Sequence, residues 1–375
     1  MAAKPRFDGE WVGFQDAFEE VSRGVRKIKQ KDYLASGFYP IVDQSQSAVA
    51  GYSNEQNGLY VDVPAIVFGD HTRCVKYVET PFFIGADGVK ILKPKLSDDV
   101  RYWWHALRAT PIENLGYSRH YKLLKEKLFR SFDLDMQVSI RRKLDRVLLE
   151  IDCAEQVLSK LDVLVKSRFV EMFGSCTRCV SLADVCCFRS GKTLPKSNEM
   201  PSGDYLYAKV GDLNLPGNER VIKSSRSYVN ADVAKNLIPK GAVVCPKRGG
   251  AISTNKKRVT ARDCCLDLNL MAVIPGEQIC TEYLLAWFDQ MDLAEIANGS
   301  AVPQINNKDL EPLIIPLPQM EAQQEFASFV AQVDKSRFVV QRQIGKLRTL
   351  YDSRAQIVQQ PIAQMLWTQR AVVQP

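Results

Sequence analysis

The sequence predicts an α+β protein with two tandem α/β blocks, two long antiparallel coiled-coil helices and a pseudo-twofold internal repeat. Three observations indicate this class. Residues 137–172 contain no Gly or Pro, and their apolar residues recur every seven positions. Residues 323–358 repeat this pattern at an offset of 186 positions, including the pair Gln137 and Gln323. Each helix also follows a strand-rich block, and short segments of the two blocks match.

The apolar positions of both predicted helices form narrow seams. In the first helix the seams are Leu144, Ile151, Leu158, Val165 and Met172, and Ile140, Val147, Ala154 and Leu161. In the second they are Val330, Ile344, Tyr351 and Val358, and Phe326, Val333, Val340 and Leu347. Two positions in seven are too narrow a stripe for a globular core, so each helix is expected to pair with the other or with another coiled-coil partner.

The globular blocks are rich in predicted strands. Runs of Val, Ile, Tyr and Phe alternate with Gly, Pro and Asp turns, as in hairpins. The predicted boundaries are residues 1–121 for the first block, 122–175 for the central helix, 176–316 for the second block, and 317–375 for the C-terminal helix and tail. Within the blocks, the helix TEYLLAWFDQ matches DVRYWWHALR, and the pair Val12 and Val180 aligns at the block starts.

Composition limits the possible environments. The 375 residues are 46% hydrophobic and 25% charged, and the net charge of +7 allows a nucleic-acid partner without requiring one. The sequence lacks a run of eighteen apolar residues and an apolar signal core near its start, so we expect a cytoplasmic protein with no membrane contact. The ten cysteines then favour reduced thiols, several of them buried.

No catalytic or metal motif stands out in the sequence. The cysteines near Cys176 include adjacent pairs, a poor geometry for zinc, so no metal site is predicted. Gly191-Lys192-Thr193 resembles the end of a phosphate-binding loop, but Cys186 stands where that loop needs a glycine. We therefore interpret this segment as a turn and predict no catalytic residues. The pattern favours a binding protein.

The strongest binding signal is the basic segment from Lys247 to Arg262, which contains six basic residues and no acidic one. Backbone at Gly249 can approach a partner closely, and the neighbouring side chains can bond phosphates or base edges. The predicted contacts are Lys247, Arg248, Gly249, Asn255, Lys256, Lys257 and Arg258, together with Lys192 from the turn described above. The alternative is an ordinary solvated basic hairpin.

The first block contains comparable candidates. Its matching turn provides His71, Thr72, Arg73 and Lys76, and the amides of Gln44 and Gln46 are suited to reading adenine. A further mixed aromatic and basic stretch provides Arg119, His120 and Lys122. The alternatives are a polar loop for the glutamines, and a joint between block and helix for the last stretch.

Several long stretches resemble a known family. The order block–helix–block–helix, KSRFVEMFG at the end of the first helix, and IIPLPQMEAQQEFASFVAQVDK at the start of the second are similar to specificity subunits of type I restriction–modification systems. FGDHTRCVKYVETPFFIGADGVKIL, GYSRHYKLLKE and PKRGGAISTNKKR resemble stretches of target-recognition domains in that family. The resemblance covers nearly the whole chain.

The resemblance implies a DNA-recognition subunit without catalytic activity of its own. Each block would be a target-recognition domain that reads one half of a bipartite sequence in double-stranded DNA. The helices would set the unread spacer and dock two methyltransferase subunits, with Leu144, Ile151, Leu158, Val330, Ile344 and Tyr351 as candidate partner-binding residues. The chain would need no cofactor, whereas the methyltransferase and restriction subunits would bring S-adenosylmethionine, ATP and Mg.

Two alternatives differ in their partners. The chain could serve a system that only methylates DNA, or a related multisubunit restriction enzyme, since that difference lies in the partner subunits. A coiled-coil adaptor whose globular blocks bind proteins would instead show no salt-dependent DNA affinity.

Overall fold

A computed structural model describes residues 9–85, 88–95, 99–298 and 302–358. Contacts divide the chain into two compact units. The first unit comprises Met1–Glu155 with Arg342–Pro375, and the second comprises Gln156–Gln341. Each long helix therefore contributes one segment to each unit. The predicted α+β class, with two similar α/β blocks and two long helices, is confirmed.

The elements before and including the first long helix follow in chain order. They are β1 (Glu10–Gly13), α1 (Phe14–Ala17), β2 (Phe18–Glu20), β3 (Tyr39–Val42), β4 (Gly51–Ser53), β5 (Ala65–Gly69), β6 (Val75–Val78), β7 (Phe83–Ile84), β8 (Val89–Pro94), α2 (Val100–Ala109), α3 (Tyr121–Lys125), β9 (Leu128–Ser131) and α4 (Leu134–Phe173).

The remaining elements belong to the second half of the chain. They are β10 (Cys179–Ser181), α5 (Leu182–Val185), β11 (Cys186–Ser190), β12 (Tyr205–Ala208), β13 (Val221–Ile222), β14 (Tyr228–Val229), β15 (Val243–Pro246), β16 (Arg258–Thr260), β17 (Cys264–Leu266), β18 (Leu270–Pro275), α6 (Thr281–Phe288), α7 (Leu293–Ile296), α8 (Asn307–Leu310), β19 (Ile314–Pro316) and α9 (Met320–Ala355).

The sheets repeat from one unit to the other. In the first unit, one sheet has the order β2-β8-β5-β6, and in the second β11-β18-β15-β16-β13. A three-stranded sheet, β4-β3-β7 or β14-β12-β17, combines one antiparallel and one parallel pairing in each unit. A short antiparallel ribbon, β1-β9 or β10-β19, completes the set. The duplication seen in the sequence is therefore also a duplication of topology.

Most residues of the heptad seams are buried, as their spacing predicts. In the first unit, Ile140, Leu144 and Val147 of α4 share a core with Leu347 and Tyr351 of α9. This unit's segments of the two helices run antiparallel, since Glu155 pairs with Arg348 while the earlier α4 residues meet the end of α9. Packing the apolar seam of one helix against that of the other removes both seams from water, which neither helix could do alone.

The second unit builds its core from the other two helix segments. Phe169 and Phe173 of α4 pack with Phe326 of α9 and Tyr283 of α6. Arg168 pairs with Glu325 on the facing helix at 3.1 Å, and Arg337 pairs with Asp162 at 2.6 Å. Low numbers on one helix meet high numbers on the other, so this pairing is antiparallel as well.

One buried glutamine in each unit attaches the block to its long helix. Gln137 in the first turn of α4 is 0% exposed, and its Oε1 accepts a hydrogen bond from the backbone N–H of Asp99, the N-cap of α2. Gln323 in the first turn of α9 is also 0% exposed and accepts in the same way from the N–H of Cys280, the N-cap of α6. Each amide also donates to a carbonyl five residues earlier. The sequence identity at this offset thus has a structural reason.

These bonds also fix which residues of α2 and α6 correspond. Asp99 takes the position of Cys280, and Tyr102 that of Tyr283, whose hydroxyl groups donate to the carbonyls of Arg130 and Pro316 on the equivalent strands β9 and β19. The match between DVRYWWHALR and TEYLLAWFDQ proposed from sequence is therefore one residue out of register. Apolar patterns alone do not distinguish neighbouring registers in helices this short.

No helix among the described residues is both long and apolar enough to cross a membrane.

We predict that Gln323→Ala lowers the free energy of unfolding by about 2–3 kcal/mol, because the buried N–H of Cys280 loses its acceptor. Urea titration of the full chain measures this change. The control is Gln324→Ala, because Gln324 is the exposed neighbour on the same helix. Equal, small effects of both substitutions would show that the buried amide does not stabilise the unit.

A buried histidine in the first unit generates a pH dependence. His105 is 0% exposed, and its ring nitrogens lie 2.8 Å from the Tyr351 hydroxyl and 2.9 Å from Asp145 Oδ1. Burial lowers the pKa of His105. Burial opposes ionisation of Asp145, but hydrogen bonds from His105 and Arg101 hold the pKa of its carboxyl below the usual value, so its loss of stability falls at much lower pH.

We therefore predict that the unfolding free energy of the wild-type protein falls as pH drops from 7.5 to 5.5. Below about pH 6.5 the unfolded chain binds a proton at His105 that the folded chain does not bind. His105→Gln should flatten this dependence, as measured by urea titrations across the range. An unchanged slope in the variant would assign the dependence to other groups.

Candidate nucleic-acid interface

Three loops that were predicted separately lie together in the first unit. Residues 43–47, 70–76 and 115–122 form what we call loop cluster 1. Gln44 Oε1 accepts a hydrogen bond from the N–H of His71 at 3.2 Å, and its carbonyl accepts one from the Thr72 hydroxyl at 2.5 Å. Gln46 Oε1 accepts from the Cys74 thiol at 3.2 Å. The glutamine loop and the turn after β5 are thus a single surface.

Asp70 joins the third loop to this surface. Its carbonyl accepts hydrogen bonds from the N–H and the Nδ1 of His120, both at 2.9 Å, and its Oδ1 accepts from the N–H of Tyr121 at 2.7 Å. His120 is 0% exposed, and its Nε2 accepts from the N–H of Leu115. Both ring nitrogens are used inside the unit, so His120 positions the loop and offers no free group at the surface.

An aromatic pair lies at the exposed edge of loop cluster 1. The ring of Tyr117 stacks on that of His71, with centroids 4.8 Å apart and planes at 10°, and Tyr117 is 90% exposed. Arg119 and Lys122 are also exposed. Tyr117 was within the singled-out stretch but not among the candidate residues. The signal that identifies it is an aromatic residue after Gly116 in a basic loop.

Two predicted contacts also bond the backbone of the protein itself. Arg73 has a positive φ of 60° and donates from its guanidinium to the carbonyl of Ile112 at 2.9 Å. Lys76 donates to the carbonyl of Asp43 at 2.7 Å, and burial lowers the pKa of its ammonium group. Each of the two side chains therefore holds a backbone carbonyl of its own unit.

A cleft opens beside loop cluster 1. It is lined in part by Ser22, Arg23, Lys90, His71 and Arg119. Lys90 pairs with Glu20 at 2.9 Å, whereas Arg23 is exposed. Arg23 was not predicted as a contact.

The second unit brings its loops together at the corresponding place. Lys247 donates from Nζ to the Ser190 hydroxyl at 2.7 Å, and from its N–H to the carbonyl of Asn269 at 2.7 Å. Arg248 forms a β-bridge with Gln304, and its side chain is exposed. Residues 190–192, 247–249, 267–269 and 302–306 define loop cluster 2. Burial, with the charge of Arg248, lowers the pKa of Lys247.

The two clusters share two positions, the turn after β5 or β15 and the loop before α3 or α8. Lys192 is exposed in cluster 2, two residues after Ser190, and Arg23 is exposed directly after Ser22 in the other repeat. Polar groups suited to contacting base edges and phosphates therefore recur at one location per unit.

The rest of the predicted basic segment points elsewhere. Lys257 is 4% exposed and donates to Asn255 Oδ1 and to the carbonyl of Met291, both at 2.7 Å. Arg258 lines the same cavity as Asn255 and Lys257. Lys256 contacts Asn214. Asn255, Lys257 and Arg258 thus line this cavity, whereas Lys247 and Arg248 contact the residues of loop cluster 2.

The predicted partner-binding residues lie mostly inside their units. Leu144, Val330, Ile344 and Tyr351 are buried, and Ile151 and Leu158 are half-buried. The same two helices expose other large apolar side chains. These are Leu149, Val157, Val163, Leu164, Val170, Phe338, Val339 and Leu350.

The cysteines show no ligand geometry within the described part of the chain. Cys186, Cys245, Cys264 and Cys265 are buried, and burial raises the pKa of the Cys186 thiol to about 12. Across those residues, no group of three or more His, Cys, Asp or Glu side chains is placed to hold a metal ion.

Comparison with known proteins identifies similar sequences. A family model described as "Type I restriction modification DNA specificity domain" matches residues 178–345. The chain is 20% identical over 354 residues to the Type I restriction enzyme EcoR124I/EcoR124II specificity subunit of Escherichia coli, covering 87% of this chain and 86% of that protein. It is 23% identical over 142 residues to the Type I restriction enzyme MjaIX specificity subunit of Methanocaldococcus jannaschii, covering 36% of this chain and 29% of that protein.

Solved structures share the fold. One, described as the "structural basis underlying complex assembly and conformational transition of the type I R-M system", has a TM-score of 0.53 at 15% identity and covers 94% of this chain and 98% of its own. The S subunit of a type I restriction-modification system from M. genitalium has a TM-score of 0.51 at 14% identity, covering 95% and 97%.

Proposed function

We propose that this chain reads a bipartite DNA sequence with one unit per half-site. The chain resembles the specificity subunits of type I restriction–modification systems over most of its length and carries their DNA specificity domain. Loop cluster 1 reads one half and loop cluster 2 reads the other. The single observation that carries this proposal is the recurrence of a polar loop cluster at the same structural position in both units.

The side chains of the two clusters suit different bases. Cluster 1 contains amides and an exposed tyrosine stacked on His71, and these groups fit adenine edges and stacking contacts. Cluster 2 presents Arg248 and Lys192, whose donors fit guanine O6 and N7 or phosphates. Because the two sets differ, the half-sites they select should differ, and the target is not a palindrome.

The proposed role of the chain is recognition without catalysis. We assign methylation and cleavage to two methyltransferase subunits and to restriction subunits, which bring S-adenosylmethionine, ATP and Mg. The exposed large apolar side chains on α4 and α9 support docking of a partner, because apolar surface left in water is costly. The buried seam residues Leu144 and Tyr351 would then act by holding the helices together.

A coiled-coil adaptor is the competing function. It would use the same exposed helix residues but would leave the two loop clusters without a role. The match of residues 178–345 to a DNA specificity domain favours the DNA-reading function.

We predict that co-expression of the chain with a methyltransferase subunit of its own system produces methylated adenines at a two-part motif with a fixed gap. Sequencing that detects methylated bases across the host genome measures this result. The methyltransferase subunit expressed alone is the control. A stable complex that adds no new methylation would contradict the proposal.

We further predict that Arg248→Ala relaxes or weakens recognition of one half-site by about 1–3 kcal/mol and leaves the other unchanged. Lys192→Ala should weaken binding to all sequences and reduce its salt dependence if the ammonium meets a phosphate. Equilibrium titration of the complex with duplexes mutated in each half measures both effects.

The control for these variants is Lys240→Ala, because Lys240 is exposed in the same unit but lies outside loop cluster 2. If Arg248→Ala affects both half-sites equally, then Arg248 contacts the backbone and does not read a base.

A further inference from the structure

The second unit contains a charged cavity that DNA reading by the loop clusters does not use. Its volume is about 270 Å³, and its walls come from α4, β16, the end of α6 and α9. Five cationic side chains line it against three carboxylates. The cations are Lys166, Arg220, Lys257, Arg258 and Arg337, and the carboxylates are those of Asp162, Glu219 and Asp289. We propose that this cavity binds a phosphate group.

Two of the cations, the buried Lys257 and the half-buried Arg258, have no direct carboxylate partner among the described residues. Lys257 bonds only neutral oxygens, those of Asn255 and Met291. Arg258 donates to the carbonyls of Lys257 at 2.8 Å and Leu213 at 3.3 Å, and its buried Nε has no hydrogen-bond partner. Within the described ranges neither cation has a carboxylate within 4.0 Å. Buried charges are costly unless they are paired, so these cations call for an anion.

The other cations differ in how far they are neutralised. Arg337 pairs with Asp162 at 2.6 Å, and Arg220 pairs with Asp334 at 3.3 Å. Lys166 is an exposed side chain at the edge of the cavity. Lys257 and Arg258 thus form no direct ion pair, although the Asp289 carboxyl acts on both of them at longer range. Lys166 is available to contact an incoming anion.

The carboxyl group of Asp289 affects how the cavity binds an anion. It caps the C-terminus of α6 and lies among Lys257, Arg220, Lys166 and Arg258, and burial raises the pKa of its carboxyl group. A protonated carboxyl can donate a hydrogen bond to a phosphate oxygen, whereas an ionised one repels it. The chemistry therefore favours a phosphate group over a hydrophobic ligand.

The first unit contains a cavity at the equivalent place with different charges. Arg348, Tyr351 and Asp352 there occupy the positions of Asp162, Val165 and Lys166 in the second unit, at the same offset of 186 residues. Three carboxylates, those of Asp152, Glu155 and Asp352, face two arginines, Arg108 and Arg348. The repeated fold therefore does not require a cationic cavity.

The test is calorimetric titration of the full chain with inorganic phosphate at constant ionic strength. We expect one site, with at least tenfold weaker binding in Arg258→Gln and in Lys257→Gln. Lys166→Gln should weaken binding about threefold, and this exposed substitution keeps the test valid if the buried variants do not fold. Asp289→Asn should bind at least as tightly as the wild type at pH 8, because it removes the repelling carboxylate.

Matched controls separate this cavity from other surfaces. Arg108→Gln, in the equivalent cavity of the first unit, should leave phosphate binding unchanged. If phosphate does not bind, or if Lys192→Gln with Arg248→Gln abolishes binding while Lys166→Gln does not affect it, the proposal is overturned.

A second arm identifies the source of the phosphate group. Duplex DNA that displaces inorganic phosphate assigns the site to the DNA backbone, and binding that persists with DNA bound assigns it to a free phosphate compound. Half-site recognition is measured separately by methylation mapping, so failure of either proposal leaves the other intact.

Discussion

A buried glutamine side chain at the start of each long helix is the interaction on which the arrangement of each unit depends. Gln137 and Gln323 each accept a hydrogen bond from the backbone at the N-cap of the block's helix, α2 or α6. Each also donates to the chain entering the long helix. A buried amide that satisfies several backbone groups tolerates little displacement, because any lost bond leaves an unsatisfied group. The position of the helix therefore sets the position of the block, and with it the loops.

The loops are also held in place by hydrogen bonds between buried polar groups. Asp70 and His120 are buried and use their polar groups on each other and on neighbouring N–H groups, and this holds the Tyr117 loop against the turn at His71. Lys76 and Arg73 are likewise committed to backbone carbonyls. Some residues with binding chemistry thus position the surface, while their neighbours Arg119, Lys122 and Tyr117 remain exposed. The distinction rests on where each donor finds its acceptor.

The two units show how a duplicated fold can diverge in charge while keeping its contacts. Topology, the glutamine bonds and the tyrosine bonds of Tyr102 and Tyr283 recur. The buried His105 network of the first unit has Ala286 at the equivalent position of the second. The equivalent cavities differ in charge as well. Close packing constrains the buried residues of both repeats in the same way, whereas polar residues at loops and cavities can differ between them.

The sequence by itself determined the duplication, the two long helices and the strand-rich blocks. Heptad spacing can be read from sequence because burial of one helix face requires apolar residues at regular intervals. The constant offset between Gln137 and Gln323 can be read because it repeats in the order of the residues. The sequence also identified the loops that form cluster 1. It did not determine which of their side chains remain exposed, the register of α2 against α6, or the division of the basic segment after Lys247. Tertiary structure decided these, because a donor's availability depends on acceptors far away in sequence, such as Met291 for Lys257 and Ile112 for Arg73.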